Sequence, residues 1–121
     1  MKLRIFAVAM AAILAIFGLA SPAHATVCVA GNGYLCVFTD AGYVGWEGDW
    51  LNPATNVCHN LTSVLDNAVS SYHNYTSRNI TFYANANCGG IFSTTVFAGA
   101  SNSNLSGSGW NDVWSSWQAK A

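Results

Sequence analysis

The chain has 121 residues and a formal net charge of −1, with 52% hydrophobic and only 7% charged residues; that suffices for one small domain and excludes the basic footprint of a nucleic-acid binder. Beyond residue 25 the charged side chains are Arg78 and Lys120 against Asp40, Glu47, Asp49, Asp66 and Asp112, a balance of −3. A surface made polar by Asn, Ser, Thr and Gly, with five tryptophans to supply a core, is that of a folded exported β protein rather than a disordered acidic segment.

In chain order, Lys2 and Arg4 precede an apolar run from Ile5 to Leu19, which gives way to the small residues Ser21-Pro22-Ala23-His24-Ala25. This is the layout of a secretory signal peptide over residues 1–25, and the apolar run is too short for a membrane span. The expected product is a secreted, extracellular domain over residues 26–121 with no membrane association after cleavage. All four cysteines lie in that part, where an oxidising compartment favours pairing. Three pairings are open. Cys28 with Cys36, spanning the Gly31-Asn32-Gly33 turn, and Cys58 with Cys88, tying two halves together, is the favoured set. In a loop-entropy account these bridges stabilise by about 2.6 and about 3.7 kcal/mol.

Short alternating apolar runs broken by Gly, Asn and Ser predict strands at 34–39, 45–51, 57–61, 68–73, 79–84, 90–97 and 113–118, with no helical stripe. Laid against itself, the chain repeats. Phe38 falls on Tyr83, Gly45 on Gly90 and Asn67 on Asp112, each 45 residues apart. One domain built from two repeats, about 34–76 and 78–121, follows, and two units that cannot bury an inner face alone should pack as facing sheets.

The first unit holds Phe38-Thr39-Asp40-Ala41-Gly42-Tyr43-Val44-Gly45, which resembles the βγ-crystallin signature, a folded hairpin pinned by an aromatic over its glycine. The second unit keeps Tyr83 and Gly90 but has Cys88 where the second aromatic would stand. We read Cys88 as a disulfide tether replacing aromatic packing. The resemblance implies an all-β, βγ-crystallin-like double Greek key sandwich. Each unit closes on two Asn/Asp residues, two free positions, Ser or Thr, then Ser: Asp66-Asn67-Ala68-Val69-Ser70-Ser71 and Asn111-Asp112-Val113-Trp114-Ser115-Ser116. In the microbial βγ-crystallins that these segments resemble, the paired copies bind two calcium ions, each drawing on both units. The resemblance implies side-chain ligands from Asp66, Asn67, Ser70, Asn111, Asp112 and Ser115 and carbonyl ligands from Ala68 and Val113. With one acidic residue per motif, weak extracellular-type affinity is expected. The competing reading is that these groups only cap turns.

No catalytic constellation stands out, and the chain is expected not to be an enzyme. Among residues 26–121 the histidines are His59 and His73, neither set in a metalloprotease helix motif, and a zinc site from Cys58, His59, His73 and Cys88 lacks ligand-pair spacing. Sequons at Asn60, Asn74, Asn79 and Asn104 mark these stretches as exposed.

The stretch from Cys28 to Gly45 is also similar to the Streptomyces metalloproteinase inhibitor family of secreted peptidase inhibitors, in its small N-terminal disulfide loop and, less sharply, over nearly the whole mature chain. That resemblance implies an extracellular metalloprotease as partner. The family presents its reactive segment on a short disulfide-closed loop, whereas Cys58 and Cys88 stand 30 positions apart. The candidate inhibitory loops are Asn85, Ala86, Asn87 and Gly89, held by Cys88, and Asn52, Pro53, Asn56 and Val57, held by Cys58; a disulfide-held loop loses less entropy on binding. A monomer is expected. The alternatives are a calcium-stabilised structural protein, a secreted antimicrobial toxin, or a glycan-binding module using Trp46, Trp50 and Trp110.

Overall fold

The computed structural model describes residues 27–121, so the signal-peptide expectation at residues 1–25 falls outside the described residues. Eight strands follow in order: β1 (Tyr34–Asp40), β2 (Val44–Leu51), β3 (Cys58–Asn60), β4 (Ser71–Asn74), β5 (Asn79–Tyr83), β6 (Ser93–Val96), β7 (Ser101–Asn102) and β8 (Ser116–Lys120). Short 3-10 turns occupy Ser63–Leu65 and Ala86–Cys88, and no α-helix occurs among the described residues.

The strands form two antiparallel four-stranded sheets with orders β2-β1-β4-β7 and β3-β8-β5-β6. Each half therefore lends its third strand to the other half's sheet. Within β1, Leu35 and Val37 point to the interior. The same parity carried 45 residues on puts Ile80 and Phe82 of β5 inside, and Val69 and Tyr72 recur as Trp114 and Trp117. These residues form the shared core with Leu61, Val96, Leu105 and Ala119. At its centre Phe82 stacks on Trp114 with centroids 3.8 Å apart and planes 9° from parallel.

The hairpin signature obeys the same repeat. In the first unit Ser71 Oγ donates to the Asp40 carbonyl (2.7 Å) and accepts from the Tyr43 amide (3.1 Å). In the second, Ser116 Oγ donates to the Asn85 carbonyl (2.6 Å) and accepts from the Cys88 amide (2.8 Å). Cys88 thus occupies the place of Tyr43. Where Tyr43 covers Phe38 edge-on at 5.8 Å, Cys88 is joined to Cys58. Gly45 (φ 91°) and Gly90 (φ 83°) adopt the left-handed conformation in equivalent positions, and a side chain on Gly45 would run into Thr39 and Asp40.

The structure shifts several expected boundaries. The strand expected at 68–73 begins at Ser71, that expected at 90–97 covers Ser93–Val96, and that expected at 113–118 covers Ser116–Lys120. In both motif copies the residues before the strand belong to an irregular arch in which one amide, that of Asn67 or Asp112, bonds to the other unit, so apolar alternation there reports burial without ladder pairing. Strand β7 was not expected: two polar residues, Ser101 and Asn102, pair with His73 and Tyr72 of β4 and carry no apolar alternation.

Candidate functional site

The two arches lie against each other. Asn67 (φ 55°) and Asp112 (φ 60°) take the left-handed conformation, which Asn and Asp tolerate better than most residues. This turns each backbone amide towards the opposite arch: Asn67 N–H donates to the Trp114 carbonyl (2.9 Å) and Asp112 N–H to the Val69 carbonyl (3.0 Å). The side chains cross in the same way. Ser70 Oγ donates to Asp112 Oδ1 at 3.2 Å, and Ser115 Oγ donates to Asn67 Oδ1 at 3.1 Å. Each cradle therefore takes one residue from each unit.

The cradles are not equivalent. One pairs a buried serine with a carboxylate, the other a buried serine with an amide, while Asn67 and Asp112 are exposed. Both present only hard oxygen atoms, the donor set suited to calcium. In the first motif position, Asn111 Nδ2 donates to Asp112 Oδ2 at 3.2 Å. Asp66 is exposed, and among the described residues no hydrogen bond ties its side chain into either serine pair. The Ala68 amide donates to the Leu65 carbonyl, and Val113 lies half-buried beside Asp112.

Both disulfides join the favoured partners. Cys28–Cys36 closes the N-terminal loop with Cα atoms 6.3 Å apart, and Cys58–Cys88 links β3 to the 3-10 turn at Ala86–Cys88 with Cα atoms 6.0 Å apart. A zinc site built on Cys58 and Cys88 is thereby removed. The described cluster with metal-ligand composition, Cys28, Cys36 and Glu47, has both sulfurs in a disulfide.

The loop Asn85–Gly89 is held from several sides. Asn60 Nδ2 donates to Asn87 Oδ1 (3.0 Å), and the Asn87 amide donates back to Asn60 Oδ1 (2.7 Å). With the Ser116 bonds and the disulfide, this fixes Asn87 (φ 62°) and Cys88 (φ 53°) in consecutive left-handed conformations, which non-glycine residues adopt only when their surroundings over-determine them. Asn85, Ala86 and Asn87 remain exposed at its tip. The other loop is anchored at both ends by amide bonds from Asn52 to the Gly33 carbonyl (2.9 Å) and from Asn56 to the Ala119 carbonyl (2.8 Å). Pro53 is buried and Val57 is exposed.

On the outer face of β1 and β4, the His73 ring is stacked between Tyr43 (3.7 Å) and Tyr75 (4.6 Å) with Nδ1 2.6 Å from Ser101 Oγ. Burial lowers its pKa and, with Tyr75 close by as a second cause, raises that of Tyr43. Of the three tryptophans considered as glycan platforms, only Trp46 is open, at 66% exposure; Trp50 and Trp110 pack against the core. The sequon expectation needs correcting at Asn74. This residue is fully buried, its amide donating to the Arg78 and Phe97 carbonyls and its oxygen accepting from Thr76. No window of polarity predicts that the amide is wanted inside to satisfy the carbonyls of two turns.

The fold is that of βγ-crystallins. A βγ-crystallin domain from Flavobacterium johnsoniae is 28% identical, with a TM-score of 0.56 over 72% of this chain and 93% of that one. A structure concerned with the evolution of the eye lens βγ-crystallin domain fold superposes with a TM-score of 0.60 at 17% identity, over 77% and 93% of the two chains. A βγ-crystallin from an archaeon gives 0.56 at 20% identity, over 71% and 95%. No curated protein sequence matches significantly. Residues 21–95 match the family model described as Peptidase inhibitor family I36, a range that includes both candidate loops and all four cysteines and ends before the second arch.

Proposed function

The chain belongs to peptidase inhibitor family I36, and from that membership we propose that it is a secreted, non-catalytic inhibitor of an extracellular metalloprotease. The observation that carries the reading is the Asn85–Gly89 loop: exposed at its tip, held by Cys58–Cys88 and bonded to Asn60 and Ser116. A segment already fixed before association gives up little entropy in a protease cleft, and tied main-chain groups resist the rearrangement that would release a cleaved segment. Disulfides are at home outside the cell, which agrees with the family. Titration of thermolysin with the purified protein tests the proposal. Stoichiometric inhibition that weakens when Asn85–Gly89, or Asn52–Val57, is replaced by a Gly-Ser linker is the expected result; no inhibition across metallo- and serine proteases would leave a structural protein.

The crossed Ser70–Asp112 and Ser115–Asn67 pairs favour calcium as a stabilising ligand of the same protein. Asp112 and Ser70 would hold one ion, and Asn67 and Ser115 the other. When bound, calcium would link the two arches through oxygen atoms of both units. A ligand that binds only the folded state at about 100 times its dissociation constant adds about 2.7 kcal/mol. Magnesium, which demands near-ideal octahedral geometry, should do much less.

A further inference from the structure

Beyond the pinned loop, the chain continues into a run of exposed large apolar residues that begins with Ile91, the most exposed of them among the described residues. Ile91 is 87% exposed, and Phe92 and Phe97 are each 64% exposed. They flank β6, an edge strand of the second sheet. The hydrogen-bonding pattern of that edge can be read from its register. Tyr83 pairs with Ser93 and Phe82 with Thr94, and the Ala84 amide donates to the Phe92 carbonyl. Since main-chain groups alternate between the two sides of an antiparallel strand, those of Phe92, Thr94 and Val96 face β5. Those of Ser93 and Thr95 face away from the sheet.

Protein edges are ordinarily guarded by charge, by shortness or by a bulge. Here β2, the edge of the first sheet, carries Glu47 and Asp49, while β3 and β7 have three and two residues. Among the edge strands of the described residues, β6 alone has four residues and no charge, and no charged or histidine side chain occurs between Arg78 and Asp112. An unguarded edge with an apolar side chain at its entrance, placed directly after a loop locked by a disulfide, has the two parts of a strand-addition surface: main-chain bonds for affinity and a side chain for a pocket.

We propose that β6 is the second half of the inhibitory surface: an extended segment bordering the peptidase's cleft pairs with Ser93 and Thr95, and Ile91 inserts into an apolar pocket beside it. The proposal rests on the inhibitor reading and deepens it by assigning the anchor to Ile91 rather than to the loop tip. The partner is a peptidase because clefts of that class hold extended chains by main-chain bonds. The Asn85–Gly89 loop runs straight into this edge, so both would meet one partner surface.

The test compares inhibition constants against thermolysin for the protein secreted from the full chain and for three variants. Ile91→Asp places a charge where the pocket would be. Ser93→Pro deletes an amide that β5 does not use, a substitution edge strands tolerate. Val64→Asp alters an exposed apolar residue elsewhere and serves as the control. Ile91→Asp should weaken inhibition roughly thirtyfold or more, as expected of a central anchor, and Ser93→Pro should weaken it with unchanged melting temperature, while Val64→Asp has no effect. Undiminished inhibition by Ile91→Asp and Ser93→Pro, with inhibition lost on replacing Asn85–Gly89, overturns the anchor and leaves the inhibitor reading standing. Absence of inhibition by the unsubstituted protein overturns both. Should the two variants instead turn a dimer into a monomer in sedimentation while inhibition persists, the edge belongs to a second copy and the proposal is wrong.

Discussion

Asp112 and Asn67 are equivalent in position and conformation, each in the left-handed region and each bonded to a serine of the opposite arch, yet only one is charged. Alanine at either place would add backbone strain of about 1–2 kcal/mol, mixing folding with binding, so amide–acid exchange is the cleaner probe. Asp112→Asn should abolish one calcium heat in calorimetry and reduce the thermal shift. Asn67→Asp should strengthen the other site, since ligand charge tunes calcium affinity; equal behaviour of both variants would show that these residues only cap turns. His73 offers a separate test. Its folded pKa lies below the ordinary 6.5 because burial disfavours the imidazolium, so the unfolded chain takes up the proton first. Stability should fall as pH drops through about 6.5 and level off below the folded pKa. Melting curves between pH 7.5 and 5.5 should show this loss, and His73→Asn should reduce it.

The disulfide Cys58–Cys88 fastens β3, an edge strand of three residues, to the loop at Ala86–Cys88. Replacing both cysteines by serine should cost about 3 to 4 kcal/mol and lower the melting temperature by roughly 15–25 °C, with inhibition falling further as the loop loosens. Differential scanning calorimetry of the double variant checks the first part; an unchanged melting temperature would mean that the Asn60–Asn87 bonds suffice. Strand content was legible wherever side chains alternate against the core: Leu35 and Val37, and Ile80 and Phe82, mark β1 and β5 without help from the structure. The arches at 66–70 and 111–115 were legible as a repeated pattern of Asn, Asp and Ser. That the two copies draw on each other followed only from the resemblance, because residue spacing alone does not say which arch faces which. Ile91 and Phe92 read as part of an alternating strand, and only the position of the sheet's end shows that Phe92, despite its inward parity, lies beyond the layer that would cover it.

At the scale of the whole molecule, each half completes the other's sheet. The core positions Leu35/Ile80, Val37/Phe82, Val69/Trp114 and Tyr72/Trp117 made this duplication visible in the sequence, whereas the exchange of third strands was hidden, since β3 and β7 together hold five residues. The halves meet at a turn containing Arg78, an exposed site for a trypsin-like enzyme. The turn is braced: Arg78 O accepts from Asn74 Nδ2, and Arg78 N donates to Thr76 Oγ1, whose own hydroxyl proton goes to Asn74 Oδ1. Cleavage after Arg78 should be slow in the folded protein. Once made, the cut should leave a two-chain species that keeps its melting transition and separates on a denaturing gel only after reduction; fragments that part without reductant would contradict the bridge. Clipping at the midpoint of the chain thus leaves the fold whole, because the bond between Cys58 and Cys88 straddles the break and the interleaved strands hold the pieces in register.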